Sequence, residues 1–156
     1  MDEKFDRFLE TVDARFRGLA GQIHAYLTEN GCKCDIKLQK SGYVVSYLLG
    51  GKRTLATFIP RKTGMKLRIY PAHLQGYQDF LDTLPEKVKQ EIKKASACKR
   101  LIDSGACNPK CTMGYTFMLD GEQYQKCRYM AFQPALSEEN NLYIKQFLEK
   151  ELRTVR

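Results

Sequence analysis

Four cysteines in the C-terminal half, Cys98, Cys107, Cys111 and Cys127, have eight, three and fifteen residues between them. Thiolates so spaced can hold a tetrahedral Zn²⁺, in which a close pair usually supplies one edge of the site. Cys107-Asn108-Pro109-Lys110-Cys111 has that form, with Pro109 stiffening the turn. A turn at Asp120-Gly121 folds the following stretch back toward Cys127, and Cys98, at the end of the preceding helix, closes the set. No histidine lies nearby, so the site would be all sulfur. Lys99, Arg100, Lys110, Lys126 and Arg128 flank the ligands and would offset their negative charge. The same cations would lower thiol pKa values, so redox or sensing chemistry at Cys107 and Cys111 is the alternative reading. Packing is the third: Cys98 falls on the apolar stripe of its helix, and Cys127 alternates with Tyr129 and Ala131. Cys32 and Cys34 are expected on opposite faces of a strand, as poor joint ligands.

A second chemistry comes from charge. The formal net charge is +8. The two outer thirds are balanced, and residues 51–100 carry twelve basic and four acidic side chains, the whole excess. Such a concentration creates a local positive potential. On one strand Lys66, Arg68 and Tyr70 share a face, with Arg61 and Lys62 in the loop before it and Lys52 in the turn before that. These six residues are the candidate anion site, suited to a phosphate or carboxylate by charge-assisted hydrogen bonds. A nucleic-acid backbone, with tyrosines as stacking platforms, is a further alternative partner. A solvated outer sheet face is the plain alternative. Catalytic signals are weak, and a Cys–His dyad brought together across the fold is the one catalytic arrangement left open. His24 and His73 have no acid or nucleophile at a recognisable spacing, and there is no phosphate loop, dinucleotide fingerprint or nucleophile elbow.

The elements that must position these groups are legible from periodicity. Phe5, Phe8, Leu9, Val12, Phe16, Leu19, Ile23 and Leu27 predict one long amphipathic helix, ended by Asn30-Gly31. Strands follow at 34–38, 43–49, 53–59 and 65–70, separated by turns at Ser41-Gly42, Gly50-Gly51 and Pro60 to Gly64. Tyr43, Val45 and Tyr47 share a face that reads as core. A short helix over 74–84 precedes a second one over 86–100, opened by Pro85. Tyr115–Leu119 and Tyr124–Phe132 predict a hairpin, and Ser137 opens a last helix. The expected fold class is α+β, an antiparallel sheet of about six strands covered by N-terminal, middle and C-terminal helices. The 156 residues fit one domain, 1–156. A charged start and no long apolar run predict a cytoplasmic chain with no membrane partner. In that compartment cysteines serve as free thiols, metal ligands or redox centres rather than disulfides.

The stretch Val45-Ser46-Tyr47, Gly51-Lys52, Phe58, Lys62 and Leu67-Arg68-Ile69-Tyr70-Pro71 resembles the YdhG-like family of small bacterial domains of unknown function. That family has an Ile-Ser-Tyr strand, a Gly-Lys turn, and a strand ending in Tyr-Pro before a helix. The resemblance implies a frataxin-like sandwich, with helices on one face of an antiparallel sheet. The family's histidine before the last strand is replaced here by Thr63-Gly64, so the resemblance implies no iron-related role. The cysteine segment lies outside the pattern.

Overall fold

The apolar stripe from Phe5 to Leu27 is carried by two helices, not one. The structure, a computed structural model, describes residues 3–40, 42–50, 53–102 and 114–155. In it α1 spans Glu3–Thr11 and α2 spans Arg17–Glu29, with one 3₁₀ turn at Ala14–Phe16 between them. Side chains at the break compete for the backbone. Thr11 Oγ1 donates back to the Phe8 carbonyl at 2.6 Å, and Asp13 accepts the Arg15 N–H at 3.0 Å. Arg17 closes the open end of α1 by donating to the Val12 and Glu10 carbonyls. The stripe survives the break: Phe5, Phe8, Val12, Ala20, Ile23 and Leu27 are all buried.

Four strands follow as successive hairpins: β1 (Cys32–Gln39), β2 (Gly42–Leu49), β3 (Arg53–Arg61) and β4 (Gly64–Ile69). They are antiparallel and ordered β1-β2-β3-β4. Val45 pairs with Phe58, and Phe58 with Leu67. The two-residue pleat therefore places Val45, Tyr47, Ala56, Phe58, Leu67 and Ile69 on one buried face. Ser46, Thr57, Lys66 and Arg68 belong to the other. Cys32 and Cys34 pair with Leu49 and Tyr47. They share the inner face, because a two-residue step returns a side chain to the same side, and the expectation of opposite faces is corrected.

The predicted helix over 74–84 is two short 3₁₀ segments, Leu74–Gly76 and Gln78–Thr83. The next helix, α3, spans Glu86–Lys94 and stops well before residue 100. Lys126 ends it: its ammonium donates to the Lys93 and Ala95 carbonyls at 2.7 and 2.9 Å, where the helix dipole favours a cation. A short α4 (Lys99–Ile102) precedes β5 (Tyr115–Leu119) and β6 (Glu122–Lys126). These two strands form a sheet of their own, so the expected six strands resolve into a four-stranded and a two-stranded sheet. The α+β class holds. Asp120 and Gly121 turn the hairpin with φ of 52° and 81°. Lys89 and Lys93 of α3 reach Asp120 at 2.8 and 3.1 Å, and their hydrogen bonds hold its carboxyl below the usual range.

The predicted strand to Phe132 ends at Lys126. Residues 132–136 instead run antiparallel along the free edge of β4. Ile69 and Leu67 donate to the Phe132 and Pro134 carbonyls, both at 2.9 Å, and Leu136 donates to the Met65 carbonyl at 3.0 Å. The last helix, α5, spans Glu138–Val155 and buries Tyr143, Ile144, Phe147, Leu148 and Leu152. One charged residue lies in that stripe. Glu151 is fully buried, and its Oε1 accepts from Arg53 Nη2 at 3.0 Å, the Ala72 N–H at 2.6 Å and His73 Nδ1 at 3.0 Å. The Tyr77 hydroxyl donates to Oε2. No helix among the described residues is long and apolar enough to cross a membrane.

Candidate anion site and cysteine junction

The outer face of the four-stranded sheet is not a plain solvated surface. Gln39, Ser46, Thr57, Arg61, Arg68 and Tyr70 line an open hollow of about 370 Å³. Ser46 and Thr57 bond to each other through their hydroxyls at 3.1 Å across β2 and β3. Arg68 is half-buried, and its Nη1 donates to the Tyr70 hydroxyl at 3.4 Å. Its guanidinium lies 5.5 Å from the Tyr129 ring centre, and Tyr129 meets Tyr70 edge-on at 6.0 Å. Arg128 sits over the rings of Tyr70 and Tyr115, 5.6 Å from each centre. Two arginines thus stack on three tyrosines, an arrangement worth more where it is partly desolvated. The Arg68 Nε is buried with no hydrogen-bond partner among the described residues.

Of the six residues expected at this site, Arg61, Arg68 and Tyr70 come together. Lys62 is exposed in the β3–β4 turn. Lys66 lines a different cavity, beside residues 130–134. Lys52 lies outside the described residues. Arg128, Tyr129 and Tyr115 were not expected here. They come from far along the chain, and the Arg128-Tyr129 pair was their one local signal.

The cysteines are reached through the same stretch. Ala97 bridges Lys126, with the Cys98 backbone N–H donating to the Gln125 carbonyl at 3.0 Å and the Cys127 backbone N–H to the Ser96 carbonyl at 2.8 Å. Cys98 is therefore not on the stripe of a helix but on a short extended segment, buried against β6. Cys127 follows β6 at a turn rather than lying within a strand. Alternation puts the two on the same side of the bridge as diagonal neighbours, about 7–8 Å apart at Cα. The Gly114 N–H donates to Cys98 Sγ at 3.2 Å. Cys107 and Cys111 lie outside the described residues. Lys126 and Arg128, expected to balance thiolate charge, are held by α3 and by the tyrosines.

Both histidines have partners within the fold. His24 Nδ1 lies 2.8 Å from the Tyr47 hydroxyl, and its ring stacks on Phe5 at 3.8 Å. Burial pushes that hydroxyl up, and the Cys34 thiol adds to the effect. Burial likewise pushes the Cys32 thiol up, as suits a packed and unreactive group. His73 is held by Glu151.

No protein-family model, no curated protein and no solved structure matches the chain.

Proposed function

We propose that the chain is a non-enzymatic binding domain whose sheet face takes an anionic ligand or partner, with zinc held by Cys98, Cys107, Cys111 and Cys127. The observation that carries the first part is the hollow in which Arg61, Arg68, Tyr70, Ser46 and Thr57 converge. A half-buried guanidinium braced by aromatic rings is pre-organised, so little side-chain entropy is lost when it grips an oxyanion. Hydroxyls beside it offer further donors. Isothermal titration with inorganic phosphate at low salt should show binding. Arg68→Gln should weaken it about tenfold, the loss of a charge-assisted hydrogen bond. Absence of phosphate and sulfate binding at low salt ends this reading. Retention on single-stranded DNA that falls steeply with salt moves it to nucleic acid.

Support for zinc is local. Cys98 and Cys127 are on one side of a bridge, and an N–H to Sγ bond favours a thiolate over a thiol. One zinc per chain is expected by elemental analysis, with a chelator lowering the melting temperature. Zinc-free protein with unchanged melting sinks the metal. Kinship with the YdhG-like family belongs to the same proposal, supported by helices packed on one face of an antiparallel sheet. A cytoplasmic location, where the thiols stay reduced, goes with it.

A further inference from the structure

A second cavity, of about 290 Å³, lies between α3, residues 130–134 and α5. Its walls are apolar: Leu84, Val88, Ile92, Met130, Phe132 and Phe147. Cavities of this size with such walls hold small molecules that bury most of their surface. Lys66 and Lys94 line it together with one acid, Glu91, and none of the three makes an ion pair among the described residues.

The wall carries two unsatisfied polar atoms as well. The Tyr143 hydroxyl and Gln133 Oε1 are buried with no hydrogen-bond partner among the described residues. Tyr143 is 5% exposed, and burial, with the Glu91 charge nearby, pushes its hydroxyl up. It stays protonated and is available as a donor. Gln133 spends its Nε2 on Met130 Sδ at 3.4 Å, a weak partner. Both atoms are covered from solvent, so a ligand meets them only by parting the side chains above them.

We infer that this cavity binds a small carboxylic acid with an apolar body, the body seated against Val88, Ile92 and Phe132 and the carboxylate held by Lys66 and Lys94. Two lysines against one glutamate select an anionic head over a neutral or cationic one. The site is separate from the sheet-face hollow, which Arg61 and Arg68 line.

The test uses 3-phenylpropanoate and its neutral counterpart 3-phenylpropanol, each titrated by calorimetry into the full chain. The acid should bind about tenfold tighter than the alcohol, as charge-assisted hydrogen bonds require. Lys66→Gln with Lys94→Gln should bring the acid down to the alcohol's affinity. Ala95→Leu, which adds bulk to the half-buried wall, should remove both ligands, with circular dichroism confirming the fold. Arg68→Gln should leave the acid's affinity unchanged, which separates this site from the phosphate site. Tyr143→Phe should leave the melting temperature unchanged or raise it by about 2–4 °C, because it deletes a buried hydroxyl that has no partner. No binding of either compound overturns the inference. So does an acid preference that survives loss of both lysines.

Discussion

Replacing Glu151 with glutamine is expected to lower the stability of the fold by about 3–5 kcal/mol, the usual cost of breaking a buried ion pair from one side. The carboxylate is 0% exposed, so it has no water to fall back on. Every interaction that makes its burial tolerable comes from the protein: the Arg53 guanidinium, the Ala72 and His73 N–H groups, the His73 ring and the Tyr77 hydroxyl. Glutamine keeps the volume and one acceptor, so packing is nearly unchanged. What is lost is the charge that faces Arg53, and the new amide N–H₂ points at groups that are themselves donors. The site ties α5 to the start of β3 and to the chain leaving β4, where Arg53 also holds the Tyr70 carbonyl at 2.9 Å. Urea denaturation at neutral pH measures the loss, and the melting temperature should fall by roughly 10 °C. Pairing Glu151→Leu with Arg53→Met should recover part of it, since neither charge is then stranded. A single-variant loss below about 1 kcal/mol would contradict the assignment.

The second large effect is expected at Gly114. A Cβ added there would stand 2.0 Å from the Lys126 carbonyl oxygen, and 3.0 Å from both the Arg128 nitrogen and Cys98 Cβ. Two of those three neighbours are backbone and cannot swing away. Lys126 is also fixed on both sides, paired with Tyr115 in β5 and with Ala97 before α4. Gly114→Ala must therefore push β6 and the Cys98 segment apart, at a cost of about 2–3 kcal/mol, the upper part of the range for overpacking. Pushing the segments apart should also uncover the buried Cys98 thiol, so greater access should make Cys98 react faster with a thiol reagent in the native protein. Alanine tolerated to within about 0.5 kcal/mol, with unchanged thiol reactivity, would mean that the close approach is not there.

How far the chain could be read follows from where each feature's cause lies. The hairpins of β1 to β4 were legible because glycine turns and two-residue alternation act locally. The split of the first helix was not: periodicity counts Thr11 and Asp13 as neutral, while their oxygens bond the backbone and break the helix between them. Cys98 was misplaced for a longer-range reason, since α3 stops where the Lys126 ammonium takes its last carbonyls. The Glu151 cluster joins residues up to 98 positions apart. Its one sequence signal was a carboxylate among Phe147, Leu148 and Leu152 in an apolar stripe. In the candidate site, Arg68 and Tyr70 followed from alternation, whereas Arg128 and Tyr129 arrive only because residues 132–136 lie along β4. The same strap places Lys66 beside the apolar cavity, away from the hollow that Arg61, Arg68 and Tyr70 share.

That strap also decides how the sheet meets other copies of itself. An unpaired strand offers its N–H and C=O groups to any extended chain, and edge-to-edge association begins there. Residues 132–136 occupy one flank of the four-stranded sheet and remove it as a template. The other flank is β1, with which no described residue pairs on its outer side. Lys33, Asp35 and Lys37 line its outward face, and Lys40 follows it. Charges so placed act as gatekeepers, since a second copy docking there would set lysine against lysine. Leu38, 71% exposed near the end of the strand, lies on the opposite face with Cys32, Cys34 and Ile36, outside that guard.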